Sequence, residues 1–294
     1  MKTLIIGSSG KISKVFKDKY YDKKKFIFTT SNKKLANKGT IFFDINKSDI
    51  TQLVKKNNID KVVIFTAISN PEKCKSQKKI SYNINVKFTK KLIQNLISLN
   101  IYFIFFSSEY VFDGFKGNYS DNSKTYTKMI YGKHKIEIEN FIKSKKNNNS
   151  LILRISKTFG TDIHDGTFFT RYLKAYICGQ RIFEIAKDQI FSPLYVNDLV
   201  RIINLSLKYK LTGLYNVCGN STNTRINFIK NFFNQLKIKD VKLVKVALKK
   251  FDNKIFYPLN ISMKNDKIKK KLNFKFTKIN NLKFKFHKSD VLKT

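Results

Sequence analysis

Tyr131 and Lys135 stand four positions apart in the stretch Tyr131-Gly132-Lys133-His134-Lys135. On a helix that spacing places two side chains on one face, about 5–6 Å apart at Cβ, so a hydroxyl and an ammonium can act at one point. A free phenol titrates near pH ~10 and is a poor proton donor or acceptor at neutrality, but a cation beside it favours the phenolate and lowers its pKa. A tuned phenol can protonate a carbonyl oxygen as hydride arrives, or take the proton back in reverse. Upstream, an apolar run over 101–106 empties into Ser107-Ser108-Glu109-Tyr110, and Ser108 could hold the same oxygen by a hydrogen bond. The spacing alone is common here: Tyr20 with Lys24 and Tyr21 with Lys25 repeat it, and a plain helix-surface pair is the alternative.

The elements that must position these residues start at the N-terminus. Thr3-Leu4-Ile5-Ile6 reads as a buried strand, followed at once by Gly7-Ser8-Ser9-Gly10-Lys11-Ile12-Ser13 and a helix. Glycines at a strand-to-helix turn let the backbone approach a pyrophosphate, and the helix start supplies free amides and a positive dipole end. Gly7, Ser9, Gly10, Lys11 and Ile12 are therefore the expected dinucleotide contacts, with Ser13 where a small residue packs helix on strand. A second strand over 26–28 runs into Thr29-Thr30-Ser31-Asn32-Lys33-Lys34. A carboxylate there would take the ribose hydroxyls of NAD and repel a 2′-phosphate. None is present. The hydroxyls of Thr30 and Ser31 and the lysines after them suit NADP, with a plain lysine-rich turn as the alternative.

A third strand over 41–44 closes on Asp44 and Ile45, where Asp44 either accepts from an adenine amino group or caps a helix beginning near Ser48. After a helix over 49–57, a fourth strand over 61–67 ends in the small Ala67, and ligands of open α/β sheets lie across such carboxyl ends. A helix over 79–99 carries Asn85, and the strand over 101–106 delivers the Ser108 segment. Strand alternating with helix implies a doubly wound parallel sheet, continued by Leu151-Ile152-Leu153-Arg154-Ile155. From Lys157 the pattern loosens, with helices near 168–177 and 196–208 and a short strand over 214–217. We read 1–156 as a Rossmann dinucleotide-binding core and 157–294 as mainly a substrate-binding lobe, partly interleaved with the core.

The 294 residues suffice for such a two-part architecture. No apolar run approaches the ~18 residues of a membrane span, and the N-terminus opens on a strand pattern, so a cytoplasmic protein is expected. Cys74, Cys178 and Cys218 lie far apart in sequence and form no metal-ligand pattern, which suits a reducing compartment. His134 and His164 are expected on surface or loop positions, and no metal is expected. The net charge of +39 invites a nucleic-acid reading, yet only five of the 59 basic residues are arginine, the lysines are spread along the whole chain, and nucleic-acid surfaces lean on arginine for bidentate contacts. No nucleic-acid partner is expected. A positive field still attracts anionic small ligands.

Gly7-x-x-Gly10, Asp44, Ala67, Asn85, the segment Phe106-Ser107-Ser108-Glu109-Tyr110-Val111-Phe112-Asp113-Gly114, Tyr119-x-Asp121, and Tyr131-x-x-x-Lys135 with Glu139 together carry a resemblance. Their order resembles an extended short-chain dehydrogenase/reductase, and more narrowly the dTDP-4-dehydrorhamnose reductase branch. Lys187-Asp188-Gln189-x-x-x-Pro193, Asn197-Asp198-Leu199 and Gly213-Leu214-Tyr215-Asn216-Val217 are similar to later segments of that branch. The likeness extends to about Gly219 and is faint beyond.

The resemblance implies catalytic Ser108, Tyr131 and Lys135, with Lys135 also at the nicotinamide ribose, and Asp44, Ile45, Ala67 and Asn85 along the cofactor. It also implies Glu109, Tyr110 and Gln189 beside the sugar. The branch places an aromatic, often tryptophan, where this chain has Lys157, which makes Lys157 a candidate substrate contact. The implied activity is NADPH-dependent reduction of a nucleotide-linked 4-keto sugar for cell-surface polysaccharide precursors, with a homodimer as a candidate assembly. Two alternatives stay open: a nucleotide-sugar epimerase or dehydratase, and a non-catalytic binding subunit such as the regulatory subunit of methionine adenosyltransferase, which resembles this branch.

Overall fold

The computed structural model describes residues 2–37, 39–251 and 255–282. Seven parallel strands form the central sheet: β1 (Lys2–Ile6), β2 (Phe26–Thr30), β3 (Thr40–Phe42), β4 (Ile59–Ile64), β5 (Tyr102–Ser108), β6 (Ser150–Ile155) and, after four short strands, β11 (Gly213–Val217). Their spatial order is β11-β6-β5-β4-β1-β2-β3. The order reverses between β1 and β4, and at such a switch point a crevice opens beyond the carboxyl ends of the strands. Strands buried on both faces read as continuous apolar runs, and β5 is buried along its whole length.

Helices α1 (Lys11–Tyr20) and α8 (Val196–Tyr209) cover one face of the sheet; α2 (Ile50–Asn57) and the helical segment ending in α5 (Thr89–Ser98), with α6 (Ile130–Ser144), cover the other. Thus α8 and β11, from the later half of the chain, pack on and extend the central sheet. The rest of that half builds its own aromatic cluster from α7 (Phe168–Ile177) and α9 (Arg225–Gln235), where Phe169 and Phe232 stack at 4.1 Å. Three two-stranded ribbons frame it: β7 (Thr158–Phe159) with β10 (Leu194–Tyr195), β9 (Ile190–Phe191) with β12 (Asn223–Thr224), and β8 (Ile182–Ala186) with β13 (Lys242–Val246).

The single helix expected over 79–99 is a broken one. Asn70 caps α3 (Pro71–Ser76) by accepting from the amides of Glu72 and Lys73, the chain kinks at Gln77 into α4 (Lys78–Tyr82), and a π-helical turn, Asn83–Phe88, leads into α5. A π turn frees a carbonyl that needs another donor, and the Thr89 hydroxyl supplies it to Ile84 at 2.7 Å. The turn aims Asn85 inward, and this decides that residue's role below. Asp49, rather than Asp44, caps α2, accepting from the Thr51 amide at 2.8 Å.

Candidate active site at the switch point

A cleft of roughly 510 Å³ lies across the carboxyl ends of the central strands, a volume typical of small-ligand sites. Its first wall is the turn after β1. Gly7 has φ +89°, and a Cβ there would meet Thr66 Oγ1 at 2.8 Å and the Thr66 amide nitrogen at 2.9 Å, so only glycine fits. Thr29 braces this turn, its hydroxyl accepting from the Gly7 amide and its carbonyl taking both the amide and the hydroxyl of Ser8. Gly10 precedes α1 without a side-chain cap, which leaves the first amides of the helix open to the cleft. Ser13 is fully buried against the sheet, its hydroxyl without a partner. A glycine-only approach followed by uncapped helix amides is a cradle for a dinucleotide pyrophosphate, and these residues fit that group.

Of the residues singled out by sequence, Ser9, Gly10, Lys11, Ile12, Ala67, Ser108, Glu109, Tyr110, Tyr131, Lys135 and Lys157 line this one cleft. Ser108 ends β5 and accepts from the Tyr110 amide at 3.2 Å, capping the short 3₁₀ turn Glu109–Val111. A hydroxyl used as acceptor keeps its own hydrogen to donate. Tyr131 stands in the first turn of α6, and no hydrogen bond among the described residues engages its hydroxyl. Gly132 makes this possible: a Cβ there would collide with the Tyr110 carbonyl oxygen and meet Thr127 Cγ2 at 2.7 Å. Gly132→Ala must push α6 off that backbone, and overpacking of this kind costs about 1–3 kcal/mol. A lowered melting temperature together with reduced turnover is the expected result, and unchanged values for both would show that the close approach is dispensable.

The electrostatics differ from the expectation of a phenol softened by a neighbouring cation. Burial pushes the Tyr131 pKa up, with smaller contributions in the same direction from Cys74 and Glu109. The Lys135 ammonium lies 4.6 Å from the Phe105 ring centre and 5.5 Å from that of Tyr131, and burial lowers its own pKa to about 8. Desolvation disfavours both charged forms at once. Tyr131 is therefore a neutral phenol at pH 7, the form that has a proton to give.

Glu109 is buried, which raises its pKa to about 7; the Ser156 hydroxyl and the Lys157 amide both donate to its carboxylate. Behind the cleft, Arg154 pairs with Glu139 through two hydrogen bonds of 2.9 and 2.6 Å, and Ser107 donates to the same carboxylate. Arg154 Nη1 also reaches the Asp121 carbonyl, so one buried guanidinium ties β6, α6 and β5 to the segment leading into α6.

Seven of the singled-out residues do not line the cleft. Gly7 shapes the turn from behind, two residues before Ser9, where that wall first meets the cleft. Thr30 ends β2, and Ser31, Asp44 and Ile45 sit just beyond β2 and β3 at the adjoining sheet edge, where Asp44 accepts from the amide and side chain of Asn46. Asn85 is turned away and buried: it accepts from the Ile68 amide at 2.8 Å and donates to the Ile68 carbonyl at 3.0 Å, clamping the loop after β4. Its amide nitrogen also lies 3.4 Å from Nδ1 of His134, which is buried rather than superficial, and burial lowers the pKa of that histidine. Gln189 is buried in the lobe with its amide on the Pro258 carbonyl, held there by packing between β8 and β9 rather than offered to the cleft.

Sequence reasoning missed Ser156, Phe168 and Arg171, which complete the cleft wall. For Arg171 a signal existed: in a chain that uses arginine only five times, each arginine is a marked choice.

The model of the RmlD substrate binding domain matches residues 1–283. The dTDP-4-dehydrorhamnose reductase of Aggregatibacter actinomycetemcomitans is 26% identical over 206 residues, 69% of this chain and 66% of that protein. The protein of Haloferax volcanii named "Probable low-salt glycan biosynthesis reductase Agl14" is 23% identical over 182 residues, 61% of this chain and 60% of that protein. The matched stretch thus spans just under two thirds of the length of these relatives. Among solved structures, the dTDP-4-dehydrorhamnose reductase of Bacillus anthracis in complex with NADP superposes with a TM-score of 0.81 at 22% identity, covering 92% of each chain.

Proposed function

This chain belongs to the RmlD substrate binding domain family, and on that premise we propose that it is an NADPH-dependent reductase of a nucleotide-linked 4-keto sugar. The observation that carries the reading is the convergence of Ser108, Tyr131 and Lys135 on one cleft with the glycine turn of β1. NADPH, when bound, would supply the hydride and leave as NADP+. Ser108 would donate to the keto oxygen and hold it against Tyr131. The neutral Tyr131 phenol would give that oxygen its proton as the hydride arrives at carbon. Lys135, adjacent on the same helix face, would orient the nicotinamide ribose and stabilise the phenolate left behind. Arg171 and Arg225, with α7 and α9 of the lobe, would take the diphosphate of the sugar nucleotide, a match of planar donors to phosphate. Residues 157–294 would thus give mainly the substrate side, and the product would serve cell-surface polysaccharide synthesis.

NADPH oxidation with a panel of dTDP- and UDP-linked 4-keto sugars tests the reading. Consumption of NADPH that follows the keto sugar supports it. Conversion of sugar without net loss of NADPH would point to an epimerase or dehydratase, and no conversion of any member would leave a binding subunit.

The cofactor preference has its own test. Ser31 is exposed beyond β2, and Lys33, two residues on, has its ammonium 5.4 Å from the Phe42 ring centre; residues 29–34 include no carboxylate. NADPH is expected to bind more tightly than NADH, and rising salt should narrow the gap, because an exposed phosphate contact is screened over a Debye length of about 8–10 Å. A preference for NADH in titration would show that this segment does not meet the ribose.

A further inference from the structure

Two cations lie near one aromatic ring of the cleft, and a third follows it on the same helix; Arg225 stands in the adjoining pocket, which shares Phe168 and Arg171 with the cleft. Lys157 Nζ lies 5.8 Å from the Phe168 ring centre and the Arg225 guanidinium carbon 5.1 Å from it, while Arg171 follows Phe168 by one turn of α7. None of the ion pairs among the described residues includes Lys157, Arg171 or Arg225, and the Arg225 Nε is buried without a partner. An aromatic face steadies a cation but does not neutralise it. Lys157 and Arg225 are partly buried and Arg171 is exposed, so the group is open to a ligand that brings an anion, and the partly buried members gain most from it.

The three do not stand in equivalent places. In the β5–β6 ladder Ile155 lies opposite Ser108, so Lys157 is two residues past that pairing. The Glu109 carboxylate, immediately after Ser108, holds the amide of Lys157 and the hydroxyl of Ser156. Lys157 is thereby tied beside the Ser108 and Tyr131 pair, whereas Arg171 and Arg225 come from the two helices of the lobe, α7 and α9. The Glu109 charge also bears on the Lys157 ammonium, where the charges of Arg225, Arg171 and Lys11 outnumber it. Lys11 is engaged, its ammonium on the Gly166 carbonyl. Lys135, beside Tyr131, is the ammonium that the reductase reading gives to the nicotinamide ribose; Lys157 is the next ammonium of the cleft, and none of the ion pairs among the described residues includes it.

We propose that the sugar bound in this cleft carries an acidic substituent, a carboxylate, that pairs with Lys157, leaving Arg171 and Arg225 for the diphosphate. This rests on the sugar-nucleotide reading above and narrows it to an acidic sugar. The probes are stable, unreactive nucleotide sugars that differ only at C6: UDP- and dTDP-glucuronate, with a carboxylate, against UDP- and dTDP-glucose, with a hydroxymethyl group. Each is titrated calorimetrically into the intact protein saturated with NADP.

The glucuronate of the preferred nucleotide is expected to bind about tenfold or more tightly than the glucose, the scale of one charge-assisted hydrogen bond. Lys157→Gln should bring the two affinities together, Lys157→Arg should preserve the gap, and Arg171→Gln should weaken both sugars alike. Equal affinities in the unaltered protein, a gap that survives Lys157→Gln, or binding of neither sugar would each overturn the proposal. The titration needs no turnover, so its failure is separable from that of the reductase reading, which NADPH oxidation with 4-keto sugars decides.

Discussion

Tyr131→Phe is expected to lower the rate of NADPH oxidation by about 10²–10⁴-fold or more while leaving cofactor affinity nearly unchanged, since a positioned proton donor contributes on that scale. The substitution removes one oxygen and keeps the ring. No hydrogen bond among the described residues is lost with that oxygen, and the ring keeps its edge contact with Tyr110 at 6.4 Å between centres. The fold therefore has no reason to respond, and the loss should appear in kcat rather than in cofactor binding. Because burial holds the phenol well above neutrality, the unaltered protein should show no fall in reduction rate traceable to Tyr131 losing its proton between pH 6 and pH 8. A Tyr131→Phe protein that reduces keto sugars at near the normal rate would remove Tyr131 from the chemistry.

Arg154→Met should cost more stability than Tyr131→Phe, Gly132→Ala or Lys157→Gln. Arg154 is 2% exposed and Glu139 1%, and the change leaves the Glu139 carboxylate buried with Ser107 and the distant Lys143 as its remaining partners. Removing one member of a buried pair typically costs about 3–5 kcal/mol. For a chain of this size that is a fall in melting temperature on the order of 10 °C. Lys143→Ala is the control: that ammonium is exposed, 3.7 Å from Glu139, and its loss should cost under about 1 kcal/mol. Activity should fall with Arg154→Met as well, because Glu139 lies one turn beyond Lys135 on α6 and Ser107 precedes Ser108. A melting temperature for Arg154→Met within about 2 °C of the parent would show the network to be energetically idle.

Much of the architecture was legible in the residues because its cues are local. Apolar runs bounded by polar turns marked β1, β2, β5 and β6; the glycine turn marked the start of α1; and alternation of strand with helix implied a parallel, doubly wound sheet, which the structure has. The i,i+4 spacing of Tyr131 and Lys135 and the position of Ser108 at a strand end likewise followed from chain geometry alone. What local cues could not contain was burial and partnership, since both depend on residues far away in sequence. The helix around Asn85 breaks into a π turn because the loop at Ile68 needs a donor and an acceptor, seventeen residues away. His134 is buried because Asn85 and Tyr82 pack on it. Tyr131 has a raised rather than lowered pKa because desolvation, set by the whole lobe, outweighs one ammonium over its ring. Gln189 left the cleft and Arg171 and Arg225 arrived beside Lys157 for the same reason: the sequence determined which side chains each element carries and on which face, whereas the docking of the aromatic lobe on the sheet decided which of them meet, which lose their water and which are left without a paired counter-charge.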